Sequence, residues 1–287
     1  MEKKNGKKLS IQDIETLRSK DKKMPKDLGD WMGLAPEETS DLKIDHHSSQ
    51  QTKSSNKKKL LSQKKNVPQI WVSEPEKYPR VIESLRVLEN KIVRFNEEER
   101  LQVFLLTGTE RKTGVSSIAF NLSLICGWDM PERRILMIDA NMSHPSLHKS
   151  FTIPIAPGLA DFLYGRVPIA SITYDSFLPN LKLIPFGNKA ENLPSPFMRQ
   201  SFLDFLKLIK EQYDLVFIDS EPSQSSGHAR TISSRVDGVI MVAESQKTRL
   251  EALTEAKNHL QDDGARLIGN FLNRRKYAIP EWLYRWV

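Results

Sequence analysis

From about Val67 onward, short uninterrupted apolar runs alternate with stretches of helical apolar spacing, and no other feature narrows the fold so far. The runs fall at 102–107, 134–139, 181–186, 214–219, 237–243 and 266–272. Helical patterns lie between them at 115–127, 158–164, 198–212, 228–235 and 248–262. A strand without polar alternation is buried on both faces, and strands joined by helix-length crossovers run parallel. The pattern predicts an α/β domain: a mostly parallel, doubly wound sheet with helices on either side. A further amphipathic helix is expected to start near Pro79, with Val81, Leu85, Leu88, Ile92 and Phe95 on one face. No internal repeat is visible.

Residues 1–66 have a different texture. They hold one aromatic residue, Trp31, and 16 basic against 10 acidic groups, while residues 67–287 balance at 27 against 26. The net charge of +7 therefore describes the N-terminal part, not the domain. So little apolar area cannot offset chain entropy, which predicts a disordered basic extension over 1–66, an α/β domain over 67–273 and a short tail over 274–287. Two islands interrupt the extension. Ser10 and Asp13 form a capping-box-like pair with Ile11, Ile14 and Leu17 at helical spacing, and Trp31, Met32 and Leu34 make an apolar patch. They read as a transient helix and solvated linker, or alternatively as docking motifs that order on a partner. A folded nucleic-acid surface would carry its charge on the domain itself, so nucleic acid is disfavoured as a partner. The single cysteine, Cys126, excludes an intrachain disulfide and suits a reducing compartment. No apolar run reaches the roughly 18 residues of a membrane span, and MEKKNGKK leads into no signal core, so a soluble, intracellular chain is expected.

In sheets of this kind ligands bind where strands end. Three strand ends carry polar residues: Gly108-Thr109-Glu110-Arg111-Lys112-Thr113-Gly114-Val115-Ser116-Ser117, then Asp139-Ala140-Asn141, then Asp219-Ser220-Glu221-Pro222. A turn between strand and helix, followed by two strands ending in aspartate, is the layout of a phosphate-binding NTPase. The helix start supplies amides and positive dipole, a hydroxyl and an aspartate hold Mg²⁺, and a lysine neutralises the terminal phosphates. Against G-x-x-x-x-G-K-[ST], only Gly114 and Ser116 fit. Thr109 stands at the first glycine and Val115 at the lysine.

From Leu85 onward the order of pieces resembles the cytoplasmic bacterial tyrosine kinases and the capsular and exopolysaccharide family of ATPases, relatives of the ParA/MinD-type ATPases with a deviant Walker A motif. Glu83-Ser84-Leu85-Arg86-Val87-Leu88 is similar to that family's E-x-x-R-x-L helix, and Asn121-Leu122-Ser123 to its N-L-A. The stretch from Ile135 to Asn141, with His144-Pro145-Ser146-Leu147-His148, resembles the Walker A′ segment. Gly158 to Gly165 matches G-L-S-D-x-L-x-G, and Tyr213 to Asp219 the Walker B strand. Val236 to Val239 and Leu267 to Asn273 match the last two strands.

The resemblance implies roles position by position. Gly108, Lys112, Gly114, Ser116 and Ser117 would line a nucleotide, with Asn273 at the adenine edge. Ser116 and Asp219 would hold Mg²⁺, and Asp139 would be the catalytic aspartate of any residual activity. Each also has a structural reading, as a strand-end cap or turn former. The departures fall on charge. Val115 cannot neutralise phosphate, Asn141 replaces the second Walker A′ aspartate, and Ser143 stands where the family often has arginine. Glu221 replaces a proline, Gly227-His228-Ala229 sits where S-D-A is common, and Glu89 replaces an arginine of the helix that makes ring contacts. Arg111-Lys112-Thr113 replaces a flexible turn, so fewer residues adopt positive φ freely. In the tail only Tyr277 and Tyr284 remain as phosphorylation candidates. The resemblance thus implies a catalytically degenerate protein of capsule or exopolysaccharide assembly, with ATP/Mg binding weakened or lost. Its implied partner is the cytoplasmic segment of a membrane polysaccharide co-polymerase, with self-association as a further contact, and the basic extension would favour an anionic membrane surface. Two alternatives stand beside it: a working ATPase or tyrosine autokinase using Lys112, or Arg111 in the same role, and a ParA-like DNA-associated protein.

Overall fold

The computed structural model describes residues 68, 70–73, 75–189 and 195–274. The Ser10–Leu17 island, the Trp31 patch, Tyr277 and Tyr284 lie outside the described residues. Seven strands form one sheet in the order β3-β4-β2-β5-β1-β6-β7: β1 (Val103–Gly108), β2 (Ile135–Asp139), β3 (Tyr174–Asp175), β4 (Leu181–Ile184), β5 (Leu215–Asp219), β6 (Gly238–Glu244) and β7 (Leu267–Asn273). Every neighbouring pair is parallel except β3 with β4. The helices are α1 (Pro79–Glu99), α2 (Val115–Asp129), α3 (Leu147–Ser150), α4 (Leu159–Leu163), α5 (Gln200–Gln212), α6 (Gly227–Ser233) and α7 (Leu250–Asp262).

The uninterrupted apolar runs are explained by cover on both faces. Within β1, Phe104 and Leu106 point into one core with α1 and α2, beside Met137, Phe217 and Ile240. Val103 and Leu105 point into the other, with Phe202, Phe205 and Ile209 of α5 and Leu260 of α7. Phe104 stacks on Phe217 of the neighbouring strand at 6.2 Å between centroids. Eleven of the fifteen residues of α2 are buried, so this helix is covered nearly all round. It lies under α1, and its Asn121 side chain accepts the amides of Trp71 (2.6 Å) and Val72 (3.1 Å), pinning the short 3₁₀ turn Trp71–Ser73.

The predicted strands and longer helices are present, and α1 starts at Pro79, where its fixed φ suits the first turn. Among strands and α-helices two pieces went unpredicted, the two-residue edge strand β3 and the four-residue α3. One residue on the buried side of α1 is also unexpected. Glu89 is buried along with Ile82, Leu85 and Ile92. No described helix is long and apolar enough to cross a membrane.

Candidate functional site

Strand β1 lies between β5 and β6, and β2 lies beyond β5, so the carboxyl ends of β1, β2 and β5 lie side by side at one edge of the sheet. Residues 109–114 turn there from β1 into α2. A Cβ on Gly108 would sit 2.5 Å from Thr113 Oγ1 and 3.0 Å from Val115 Cγ2, so a side chain there would force its neighbours in the turn to move. Gly114 has φ +91° and Lys112 φ +67°. Lys112 thus takes a left-handed conformation despite its side chain, which costs about 1–2 kcal/mol.

The outer side of the loop is held by the end of β7. Asn273 Nδ2 donates to the Thr113 carbonyl at 2.8 Å, and Arg274 Nη1 donates to the Lys112 carbonyl at 3.2 Å and to Glu244 at 3.0 Å. A Cβ on Gly114 would fall 2.3 Å from Asn273 Nδ2. Asn273 is therefore buried against the loop, with its amide nitrogen engaged and its Oδ1 accepting the Arg274 amide at 2.8 Å.

The loop carries two positive charges, Arg111 and Lys112, and none at position 115. Val115 packs into the core beneath the turn, and Lys112 is exposed. Arg111 reaches across to the loop between β2 and α3, where its Nη2 lies 2.6 Å from Nδ1 and 2.9 Å from Nε2 of His144. Ser116 and Ser117 are half-buried in the first turn of α2.

The aspartates behave differently from each other. Asp139 and Asp219 are partners in register on β2 and β5, and both are fully buried. Asp139 accepts three amides: Asn141 at 3.0 Å, Ser146 at 2.7 Å and Leu147 at 3.0 Å. It thereby shapes the turn into α3. Burial still pushes its pKa up to about 6, against the pull of those donors. Asn141, in the same turn, accepts the His144 amide at 2.9 Å. Among the described residues Asp219 has no hydrogen-bond partner on either oxygen. Burial first, and then the neighbouring Asp139 charge, drive its carboxyl well above the ordinary range; the nearby Ser116 hydroxyl opposes this without reaching hydrogen-bond geometry. Thr109 Oγ1 and Ser146 Oγ are likewise buried and unpartnered.

Buried polar atoms are nearly always bonded, so orphans gathered at one end of a sheet mark a place built for something besides the fold. Asp219 and Ser116 suit a divalent cation, and the opening amides of α2 suit phosphate. Among the described residues no group of three or more His, Cys, Asp or Glu could hold a metal ion, so a cation here would need water or phosphate oxygens as well. The residues fit Mg²⁺ carried with a phosphate; they offer a terminal phosphate no cation at position 115.

One site member escaped the sequence reading as such. Glu221, noted there as a replacement for proline, is buried; its Oε1 accepts the Ser143 amide at 2.6 Å, and its Oε2 accepts the Ser226 hydroxyl. Burial raises its pKa, but these donors outweigh it and hold the carboxyl below its usual range. Glu221 thus brackets the β2–α3 loop to the start of α6. The Gly158–Gly165 motif is a bracket too. Asp161 accepts the amides of Gly158 and Asn188, both at 3.0 Å, the Asn188 side chain at 3.2 Å and Arg166 at 3.4 Å.

No family model matches the chain. The tyrosine-protein kinase ptk of Acinetobacter johnsonii is 27% identical over 214 residues, covering 75% of this chain and 29% of its own length. The putative tyrosine-protein kinase CapB of Staphylococcus aureus is 20% identical over 215 residues, covering 75% of this chain and 93% of its own. The chain spans between a quarter and a third of the length of the first curated relatives it matches. Among solved structures, the BceF tyrosine kinase domain shares the fold with a TM-score of 0.64 at 23% identity, covering 79% of this chain and 89% of that one. In sequence the chain is similar to bacterial tyrosine-protein kinases at 20–27% identity, and it shares its fold with a solved tyrosine kinase domain.

Proposed function

We propose that this chain is a kinase-fold module of bacterial capsule or exopolysaccharide assembly that no longer transfers phosphate, and that it acts at the cytoplasmic face by docking on a membrane polysaccharide co-polymerase. The observation that carries this reading is the state of the phosphate loop. Its backbone turn is kept, but its cationic anchor is an aliphatic side chain packed into the core. Phosphoryl transfer rests on positioning and on neutralising charge as it spreads over the phosphate oxygens. Losing one positioned electrostatic contact costs about 3–4 kcal/mol in the transition state. Asn141 adds a second loss, since an amide cannot accept a proton from an attacking hydroxyl. A bound Mg²⁺-nucleotide would supply a cation to neutralise phosphate, with Ser116 and Asp219 as its holders. The orphaned oxygens of Asp219 favour a retained, non-turning-over ligand over a site filled in by packing. A role in polysaccharide assembly draws support from relatives such as the putative tyrosine-protein kinase in the cps region of Klebsiella pneumoniae, 23% identical over 243 residues.

The test is phosphate release and autophosphorylation with labelled ATP and Mg²⁺. The full chain should show neither, whereas Val115→Lys combined with Asn141→Asp should gain measurable hydrolysis. Turnover by the unaltered chain, abolished by Lys112→Ala, would establish the rival reading of a working enzyme.

A further inference from the structure

The resemblance implies that Asn273 would stand at the adenine edge of a nucleotide, where an amide reads a base by donating one hydrogen bond and accepting another. In this chain both halves of that amide are engaged with the protein. Nδ2 donates to the Thr113 carbonyl and Oδ1 accepts the Arg274 amide, each at 2.8 Å. The backbone carbonyl of Asn273 accepts the Ser245 amide at 2.9 Å, which ties the end of β7 to the turn after β6. The residue is only 5% exposed. Nδ2 also lies 2.3 Å from where a Cβ on Gly114 would stand, so the amide is packed directly on the phosphate loop with no room for a ring between them. Thr113 sits between two left-handed residues, Lys112 and Gly114, and the bond from Asn273 fixes its carbonyl at that reversal. A base edge that drew Nδ2 away would leave the Thr113 carbonyl buried and unpaired, which costs more than one new hydrogen bond returns.

From this geometry we infer that Asn273 is a positioning residue of the phosphate loop and not a reader of the base, so that the site takes a Mg²⁺-bound diphosphate whichever base, or none, it carries. The inference rests on the reading of the loop as a phosphate cradle, and it names the class of ligand that cradle selects. The groups assigned to the ligand all address its phosphate end: the opening amides of α2, Ser116 and Asp219. None of them distinguishes one base from another. Asn273 acts on them through the loop, by holding the turn from which α2 starts.

Calorimetric titration of the full chain at neutral pH with Mg-ADP, Mg-GDP, Mg-CDP and Mg-pyrophosphate tests this. The three nucleotides should bind within about threefold of one another, whereas a hydrogen bond to one base would be worth up to about tenfold. Mg-pyrophosphate should displace Mg-ADP. Asn273→Ala, checked for folding by its melting curve, should weaken all four ligands by the same factor of up to about tenfold. Pyrophosphate is the telling arm, since it has no base to lose. A preference of about tenfold or more for Mg-ADP in the unaltered chain overturns the inference whatever the variant does. If Asn273→Ala abolishes that preference, Asn273 is the reader after all; if the preference survives, another group reads the base. Unchanged pyrophosphate affinity in Asn273→Ala overturns the positioning role, and failure of Mg-pyrophosphate to displace Mg-ADP overturns the ligand class. Absence of binding by all four ligands also overturns the inference, while leaving the loss of catalysis untouched. ATP hydrolysis by the unaltered chain is the separate outcome that strikes the proposed function and leaves the base ratios standing.

Discussion

Replacing Asp219 by asparagine should stabilise this protein at neutral pH. The carboxyl is fully buried, lacks a partner on either oxygen among the described residues and faces Asp139 in register. In the unfolded chain it ionises near 3.8, whereas in the fold it holds its proton to a much higher pH. Between those limits the unfolded state binds fewer protons, so stability falls as pH rises, and above them the penalty is complete. Asp139 gives the scale: a rise from 3.8 to about 6 corresponds to about 3 kcal/mol at 1.36 kcal/mol per unit. Asp219 is pushed in the same direction with no hydrogen bond to oppose it, and the Asp139 value serves as the scale for the pair. Asparagine cannot ionise but leaves its own amide unsatisfied, returning about 1 kcal/mol of that gain. The net expectation is about 2 kcal/mol, or roughly 4–8 °C in Tm for a domain of this size. Thermal melts by circular dichroism at about pH 7.5 and about pH 4.5 should show the variant ahead at the higher pH and the gap closing at the lower. An unchanged or lower Tm for Asp219→Asn at the higher pH would refute the reasoning, because it would mean the carboxylate has a stabilising partner.

Other consequences follow from brackets and buried acids. Asp161→Ala removes acceptors for two amides, an amide side chain and Arg166, and should cost about 3 kcal/mol; chemical denaturation would measure it, and a loss under about 1 kcal/mol would deny the bracket role. The donors hold the Asp161 pKa below 3.8 despite burial, so its stabilisation is present above the ordinary carboxylate range and fades as pH falls through the lowered value. Glu89, buried on α1 beside Asp129, has its pKa pushed up to about 7 by burial and then by the Asp129 charge, with Arg86 opposing. Its sign is the reverse: stability falls as pH rises from 4.5 toward 7, and Glu89→Gln should flatten that slope in pH-dependent melts. Asn273→Ala should speed amide hydrogen exchange in 109–114, since the Thr113 carbonyl loses its anchor.

Much of the fold was legible because burial on both faces leaves an unmistakable mark. Runs such as Leu215–Asp219 have no polar alternation, and the helices between them are long enough to keep a period. β3 and α3 were invisible for the opposite reason, since two or four residues carry no periodicity. Glu89 misled differently: the apolar spacing of α1 was read correctly, but a carboxyl turned inward toward Asp129 has no counterpart in a pattern of hydrophobic residues. In the site, Val115 and Asn141 stood out because motif spacing fixes what those positions should hold. The partners of Asn273, Glu221 and Arg111 could not be read. Asn273 meets Thr113 across 160 residues, and Arg111 meets His144 across 33. Contacts between loops depend on how strand ends are brought together, which only the sheet order supplies.

The central claim is that a phosphate cradle persists here without the cation that makes it catalytic. Titration of the unaltered chain with Mg-ATP at neutral pH, followed in the same cell for released phosphate, addresses it directly. The account predicts weak, saturable binding and no phosphate release over hours. Saturable binding accompanied by steady phosphate release, lost in Lys112→Ala or Arg111→Ala, would contradict it.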